Sequence, residues 1–225
     1  MLIDTHVHSS GISPCSRRNP QQLIAEYLAD KTDGLVLANH CLREFTDGIG
    51  YKAWCEAYVE EYRKVKYLGD KYGVRVFFGI EVTPDWQPCV HLLIYGITPD
   101  ELLNSPELYG LSLEELYNYC EENGFLLYQA HPYRSGMVPQ NPKYLHGYEI
   151  NCHPGHGPTM RDEVTADAKG SNLRIICGSD FHGDNYKPKC GTYIPDSIKT
   201  EKELAEYLRT NQPELEIMDI IYVNY

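Results

Sequence analysis

The stretch Asp4-Thr5-His6-Val7-His8 sets two imidazoles one residue apart, directly after the first apolar residues of the chain. In an extended strand successive side chains alternate faces, so His6 and His8 project together while Thr5 and Val7 project the other way. Two imidazoles on one face can grip one ion. A strand end that merely carries two histidines is the alternative, and the pair alone leaves both open. Similar residues recur downstream: "LANH" ends at His40, "FGIE" at Glu81, "YQAH" at His131 and "YEIN" at Asn151, and "GSDFH" holds Asp180 and His182. With His91 of "HLLIYGI", the candidate set is His6, His8, His40, Glu81, His91, His131, Asp180 and His182. Gathered without metal, these groups would be half-paired in a partly buried pocket, which is costly; Zn, Mn or Fe uses neutral imidazole and carboxylate directly.

Positioning such a set requires strands that end together. "LIDTH" reads as a strand, and "NPQQLIAEYLAD" as a helix with Asn19 as N-cap and Pro20 at its first position. "GLVLANH" is a buried strand, and a long amphipathic helix is expected from about Asp47 to Tyr72. "VRVFFGIE", "HLLIYGI" and "FLLYQAH" are further strands, and "SLEELYNYCEENG" is a helix with a Ser112–Glu115 capping box and Gly124 closing it. "GYEINCH", "LRIICGSDFH" and a helix near "TEKELAEYLRT" continue the alternation. Short apolar strands separated by helices imply an α/β fold with a mainly parallel sheet, open or closed into a barrel. In such folds the C-terminal strand edge is where ligand sites assemble, so the separated residues converge on one rim.

Composition narrows the chemistry. A chain of 225 residues, 42% hydrophobic and 23% charged, reads as one globular domain over residues 1–225. No apolar run approaches the roughly 20 residues needed to cross a bilayer, and the N-terminal stretch lacks a basic start and a long apolar core, which predicts a cytoplasmic protein. The net charge of −12 argues against duplex nucleic acid and anionic membrane as partners and favours a small substrate. The eight cysteines have no CxxC spacing and are expected to be reduced and largely buried.

In order along the chain, "DTHVHS", Asn39-His40, "GIE" ending at Glu81, "AHP" at His131 and "GSDFH" resemble the motifs of the PHP (polymerase and histidinol phosphatase) family of metal-dependent phosphoesterases. The resemblance implies a distorted seven-stranded (β/α) barrel with two or three divalent ions, Zn, Mn or Fe, at the C-terminal rim. It implies that His6, His8, Asp180 and Glu81 hold one ion, Glu81, His91 and His131 a second, and His40 with His182 part of a third, Glu81 bridging the first two. Asn39 departs from the family, which often has Asp there. "SSGISPCSRR" departs where an Asp or His is common, so that Cys15 either completes the third site or, the reading adopted, is a buried packing residue with water in its place.

Such a set suits hydrolysis of a phosphate ester in a small phosphorylated metabolite or short nucleotide by metal-activated water. His182 could also give the leaving group its proton. Arg134, three residues past His131, either takes a phosphate in bidentate fashion or forms a surface salt bridge. Arg17 and Arg18 are further phosphate contacts, and His153 and His156 of "HPGHG" are turn residues that could reach the substrate. Histidinol-phosphate phosphatase and a non-catalytic metal-binding module are the alternative functions.

Overall fold

The computed structural model describes residues 1–153, 155, 157–183, 189–218 and 220–223. Its strands are β1 (Leu2–Val7), β2 (Gly34–Leu37), β3 (His40–Cys41), β4 (Arg75–Val82), β5 (Leu92–Tyr95), β6 (Leu126–Gln129), β7 (Gly147–Asn151), β8 (Arg174–Gly178), β9 (Cys190–Tyr193), β10 (Leu215–Ile217) and β11 (Ile220–Tyr222). Between them run α1 (Pro20–Asp30), α2 (Arg43–Thr46), α3 (Tyr51–Tyr72), α4 (Pro99–Leu103), α5 (Leu113–Asn123), α6 (Arg161–Ser171) and α7 (Glu201–Thr210). They build one curled, barrel-like sheet in the order β11-β10-β9-β1-β2-β4-β5-β6-β7-β8, with β3 paired to β4.

The curl brings β8 back to β1. Val7 forms an isolated parallel bridge with Phe181, and the Thr5 hydroxyl donates to the Cys177 carbonyl. Alternate strand residues divide between two cores, as a curved sheet with helices on its convex side requires. Ile3, Val36, Phe77, Leu93 and Ile176 face the inner cluster. Leu35, Phe78, Leu92 and Ile175 face the outer one with Tyr27 of α1 and Trp54 and Tyr58 of α3. At the base, Leu204 and Leu208 of α7 join the inner cluster, and Arg209 donates to the Phe125 carbonyl.

The sheet corrects the mainly parallel expectation: among the described residues five strand pairs are parallel and five antiparallel. β5 runs against both β4 and β6 despite the helices that separate it from β6. The long helix begins at Tyr51 and not near Asp47, because Gly50 adopts φ 86° and breaks it from the short α2. The capping boxes at Asn19 and Ser112 form as expected. No described helix is long and apolar enough to cross a membrane.

Candidate metal centre

Strand geometry puts His6 and His8 on one rim, but their approach depends on a neighbour. Gly178, at the end of β8, lies so close that a Cβ there would stand 2.7 Å from His6 Cβ and 2.6 Å from Glu149 Oε1. Only glycine lets β8 approach β1 this closely. From the other side, the Tyr58 hydroxyl lies 2.7 Å from the Leu37 carbonyl and 2.6 Å from that of Gly79 and accepts the Asn39 N–H, tying α3 to the strand ends that carry His40 and Glu81.

Three donor groups are joined through Glu81 and His8, and a fourth sets His6 and His131 beside Glu149, each with its ligating atoms within 4.8 Å of one another. In the first, His6 Nε2 lies 3.3 Å from Glu81 Oε1 and His8 Nε2 lies 3.1 Å from Asp180 Oδ1. In the second, His91 Nδ1 and His131 Nε2 lie 2.9 and 3.4 Å from Glu81 Oε1. In the third, His8 joins His40 and His182, whose Nε2 atoms are 3.3 Å apart. All eight candidates therefore meet. His91 arrives differently from the rest: it precedes β5, and because β5 is antiparallel its N-terminal end lies at the same rim.

A cation fits these atoms. Among the described residues His6 Nε2 and His131 Nε2 are buried without a well-formed hydrogen bond, and the 2.5 Å pair of His40 Nδ1 and Glu81 Oε2 lacks hydrogen-bond geometry, a costly state unless a ligand completes them. Burial holds the His131 imidazole down to about 4, so it is neutral and keeps one ring nitrogen's lone pair to ligate. Burial also depresses His8, reinforced by His182 and His40. For His40 burial acts downward too, but Glu81 and Cys15 outweigh it and push the ring up to about 10. Burial would raise Glu81 and Asp180, yet the surrounding imidazoles keep both carboxyls well below their usual range. Positive φ at His131 (32°) and Asp180 (53°) adds backbone strain, a common mark of functional sites.

Glu149 is the residue the sequence reading missed. Its Oε1 accepts from His6 Nδ1 at 2.8 Å, which turns Nε2 toward Glu81, and its Oε2 accepts the His131 N–H. It lies in "YEIN", two residues before Asn151 and so on the same strand face; a carboxylate between Tyr148 and Ile150 was the available signal. Asn39 also gains a reason. Its Oδ1 accepts from Ser9 N and Ser13 Oγ while its Nδ2 donates to Ser9 Oγ, pinning the loop after β1. An Asp could not make that donation.

Arg134 does not form a separate surface pair: its Nη1 donates to Asp180 Oδ2 at 3.1 Å. Arg17 is exposed at the rim, its backbone N–H donating to the His182 carbonyl. Arg18 is turned to Glu26 of α1. His182 Nδ1 donates to the Asp180 carbonyl at 2.7 Å, which leaves only Nε2 to ligate or to carry a proton, and not both at once. The His153 ring lies 6.1 Å from that of His182, and His156 falls outside the described residues. Cys15 is exposed, against the buried packing role adopted from sequence; burial opposes ionisation of its thiol, but the neighbouring His182 and His40 lower it to about 6.

No family model and no curated protein matches the chain. Among solved structures, a two-domain protein from Bacteroides vulgatus containing a predicted PHP-like metal-dependent phosphoesterase superposes over 98% of this chain, with TM-score 0.69 and 15% identity. The fold is that of the PHP-like phosphoesterases. The chain spans 66% of that protein. PsfC from Pseudomonas syringae gives TM-score 0.65 at 17% identity, over 96% of this chain and 91% of its own. A protein from Bifidobacterium adolescentis, provisionally named a metal-dependent phosphoesterase, gives 0.53 at 16% identity over 91% and 94%.

Proposed function

We propose that this chain is a metal-dependent hydrolase that cleaves the phosphate ester of a small phosphorylated metabolite or short nucleotide. The supporting observation is the set of three donor groups joined through Glu81 and His8, in which the buried His6 Nε2 and His131 Nε2 have no well-formed hydrogen bond among the described residues. On this reading β1, β2, β4, β5, β6, β7 and β8 are the seven staves of a distorted barrel, and the chain acts as one domain. His6, His8, Glu81 and Asp180 hold one divalent ion, Glu81, His91 and His131 a second, and His40 and His182 a third with His8 beside them. Zn, Mn and Fe suit these donors.

When bound, the ions supply Lewis acidity that makes water nucleophilic near neutral pH and neutralises phosphate oxygens. The chain's own groups do the rest. Arg134, already beside Asp180, takes two phosphate oxygens through its planar fork. Arg17, on the exposed lip, contacts the outer part of the substrate. Glu149 fixes the His6 tautomer and Asn39 holds the loop that carries Cys15. His182 serves as a ligand through Nε2, so we do not give it the proton-donor role. The net charge of −12 argues against duplex nucleic acid and anionic membrane as partners, so the anion on this reading is small, is held by local cations, and is met in the cytoplasm.

The test is turnover of an aryl phosphate by protein reconstituted with Mn or Zn, followed by a screen of phosphorylated metabolites that includes histidinol phosphate. Metal-dependent release of phosphate is the expected result. Tight ion binding with no turnover of any phosphate ester would make the chain a metal-binding module instead.

A further inference from the structure

Away from the histidines, three thiols meet. Cys152 follows β7, Cys177 lies in β8 and Cys190 opens β9; their sulfurs lie within 4.8 Å of one another, Cys152 and Cys177 being 3.6 Å apart. Cys177 and Cys190 are fully buried and Cys152 is 4% exposed. Because side chains alternate along β8, Ile176 faces the inner cluster while Cys177 joins Ile150, Leu215 and Ile217 in the outer one. The proposed hydrolase reading uses none of the three.

A direct disulfide suits the pair poorly. The register sets Ile150 opposite Cys177 and Asn151 opposite Gly178, so Cys152 and Cys177 are diagonal neighbours. Diagonal neighbours stand roughly 7–8 Å apart at Cα, whereas a relaxed bridge needs about 4.4–6.8 Å. An ion with metal–sulfur bonds of about 2.3 Å closes the gap without moving the strands, since three sulfurs around it stand about 4 Å apart. The thiols already hold nearly that spacing from three separate elements.

We propose that Cys152, Cys177 and Cys190 form a site for one soft d10 cation, Cu(I), distinct from the histidine centre. The donors are all sulfur, which selects Cu(I) over Mn or Mg. Among the described residues no His, Asp or Glu joins the group as a fourth donor, which suits three-coordinate Cu(I) better than Zn, whose structural sites take four ligands. The ion enters as Cu(I), each thiol that ionises releases one proton to solvent, and no electron is transferred. The Cys177 thiol donates to the Glu216 carbonyl at 3.4 Å, a bond that the ion would replace. Cys152 is the outermost of the three.

The full chain, first given Mn(II), is titrated anaerobically with Cu(I) against a chromogenic Cu(I) chelator. One Cu(I) per chain should be retained, with Cu K-edge absorption reporting three sulfur scatterers and no nitrogen. Cys152→Ala and Cys190→Ala should each weaken binding by more than the roughly 10–100-fold that an outer-shell change costs, and Cys15→Ser should leave it intact. Mn-supported ester hydrolysis, or far-UV circular dichroism if no ester is turned over, checks that the variants fold. Nitrogen scatterers, loss of the ion in Cys15→Ser, full retention in folded Cys152→Ala, or no Cu(I) held by the parent would each overturn the proposal.

Discussion

At the base of the sheet the Met1 amino group lies 2.7 Å from Asp196, whose side chain is 86% exposed. The pair borders an open cleft of about 680 Å³ that Asp33, Asp70, Arg75 and Lys199 also line. At the rim, His6, His8 and Glu81 are fully buried, and their donor atoms face one another. Water screens the base charges, so each pair there contributes little to stability. The rim groups have lost that water, and fellow ligand candidates replace it only poorly. The difference is between charge that is merely tolerated and charge arranged to receive something.

The largest effect that would break this contrast is chelation. Stripping ions should abolish turnover and lower Tm, with Mn or Zn restoring both, since saturating ligand at 1,000 Kd stabilises by about 4 kcal/mol. Because imidazoles must be neutral to ligate, ion occupancy should fall as pH drops, first at the group holding His40, whose ring is pushed up to about 10, and last at the one holding His131, held down to about 4. A Tm that ignores chelator would reduce the rim to ordinary polar packing.

Next comes Glu81→Ala, which removes a carboxylate common to two donor groups and should cost more than the roughly 100-fold of a lost outer-shell partner. Elemental analysis with turnover measures it, and a variant keeping both would show that Glu81 does not bridge. Arg134→Ala should lower kcat/KM by about 10–100-fold, from the loss of about 1.5–3 kcal/mol of charged hydrogen bonding, with metal content unchanged. Arg134→Lys should recover only part of it. Glu149→Gln should weaken ion affinity by roughly 10-fold while leaving the fold intact, read by metal titration.

The smallest effect belongs to the base. Asp196→Ala should leave both the denaturation midpoint and kcat/KM nearly unchanged. A large loss there, measured by chemical denaturation, would erase the contrast from the other side.

Features governed by neighbours in sequence were legible. The HxH alternation, the capping boxes at Asn19 and Ser112 and the strand-end positions of His40, Glu81 and His131 each follow from local geometry. What depended on distant pairing was not. The reversed direction of β5 is decided by its two partners and not by its own residues. β9, β10, β11 and α6 carry weak periodicity and went unread. Glu149 matters because His6, 143 positions away, turns to meet it, and the three thiols are neighbours only once β8 and β9 are in place.

The Val7–Phe181 bridge has a consequence for how the chain is made. Within this chain β1 is made before the other strands, yet its hydrogen-bond partners include β9, and Asp180 lies 172 positions beyond the His8 it faces. Closing so long a loop is slow, as nonlocal pairing generally is. The chain must therefore be made through β8 before His6 and His8 find Asp180, and a nascent or truncated chain ending ahead of β8 would carry the histidines without the carboxylate that completes their group.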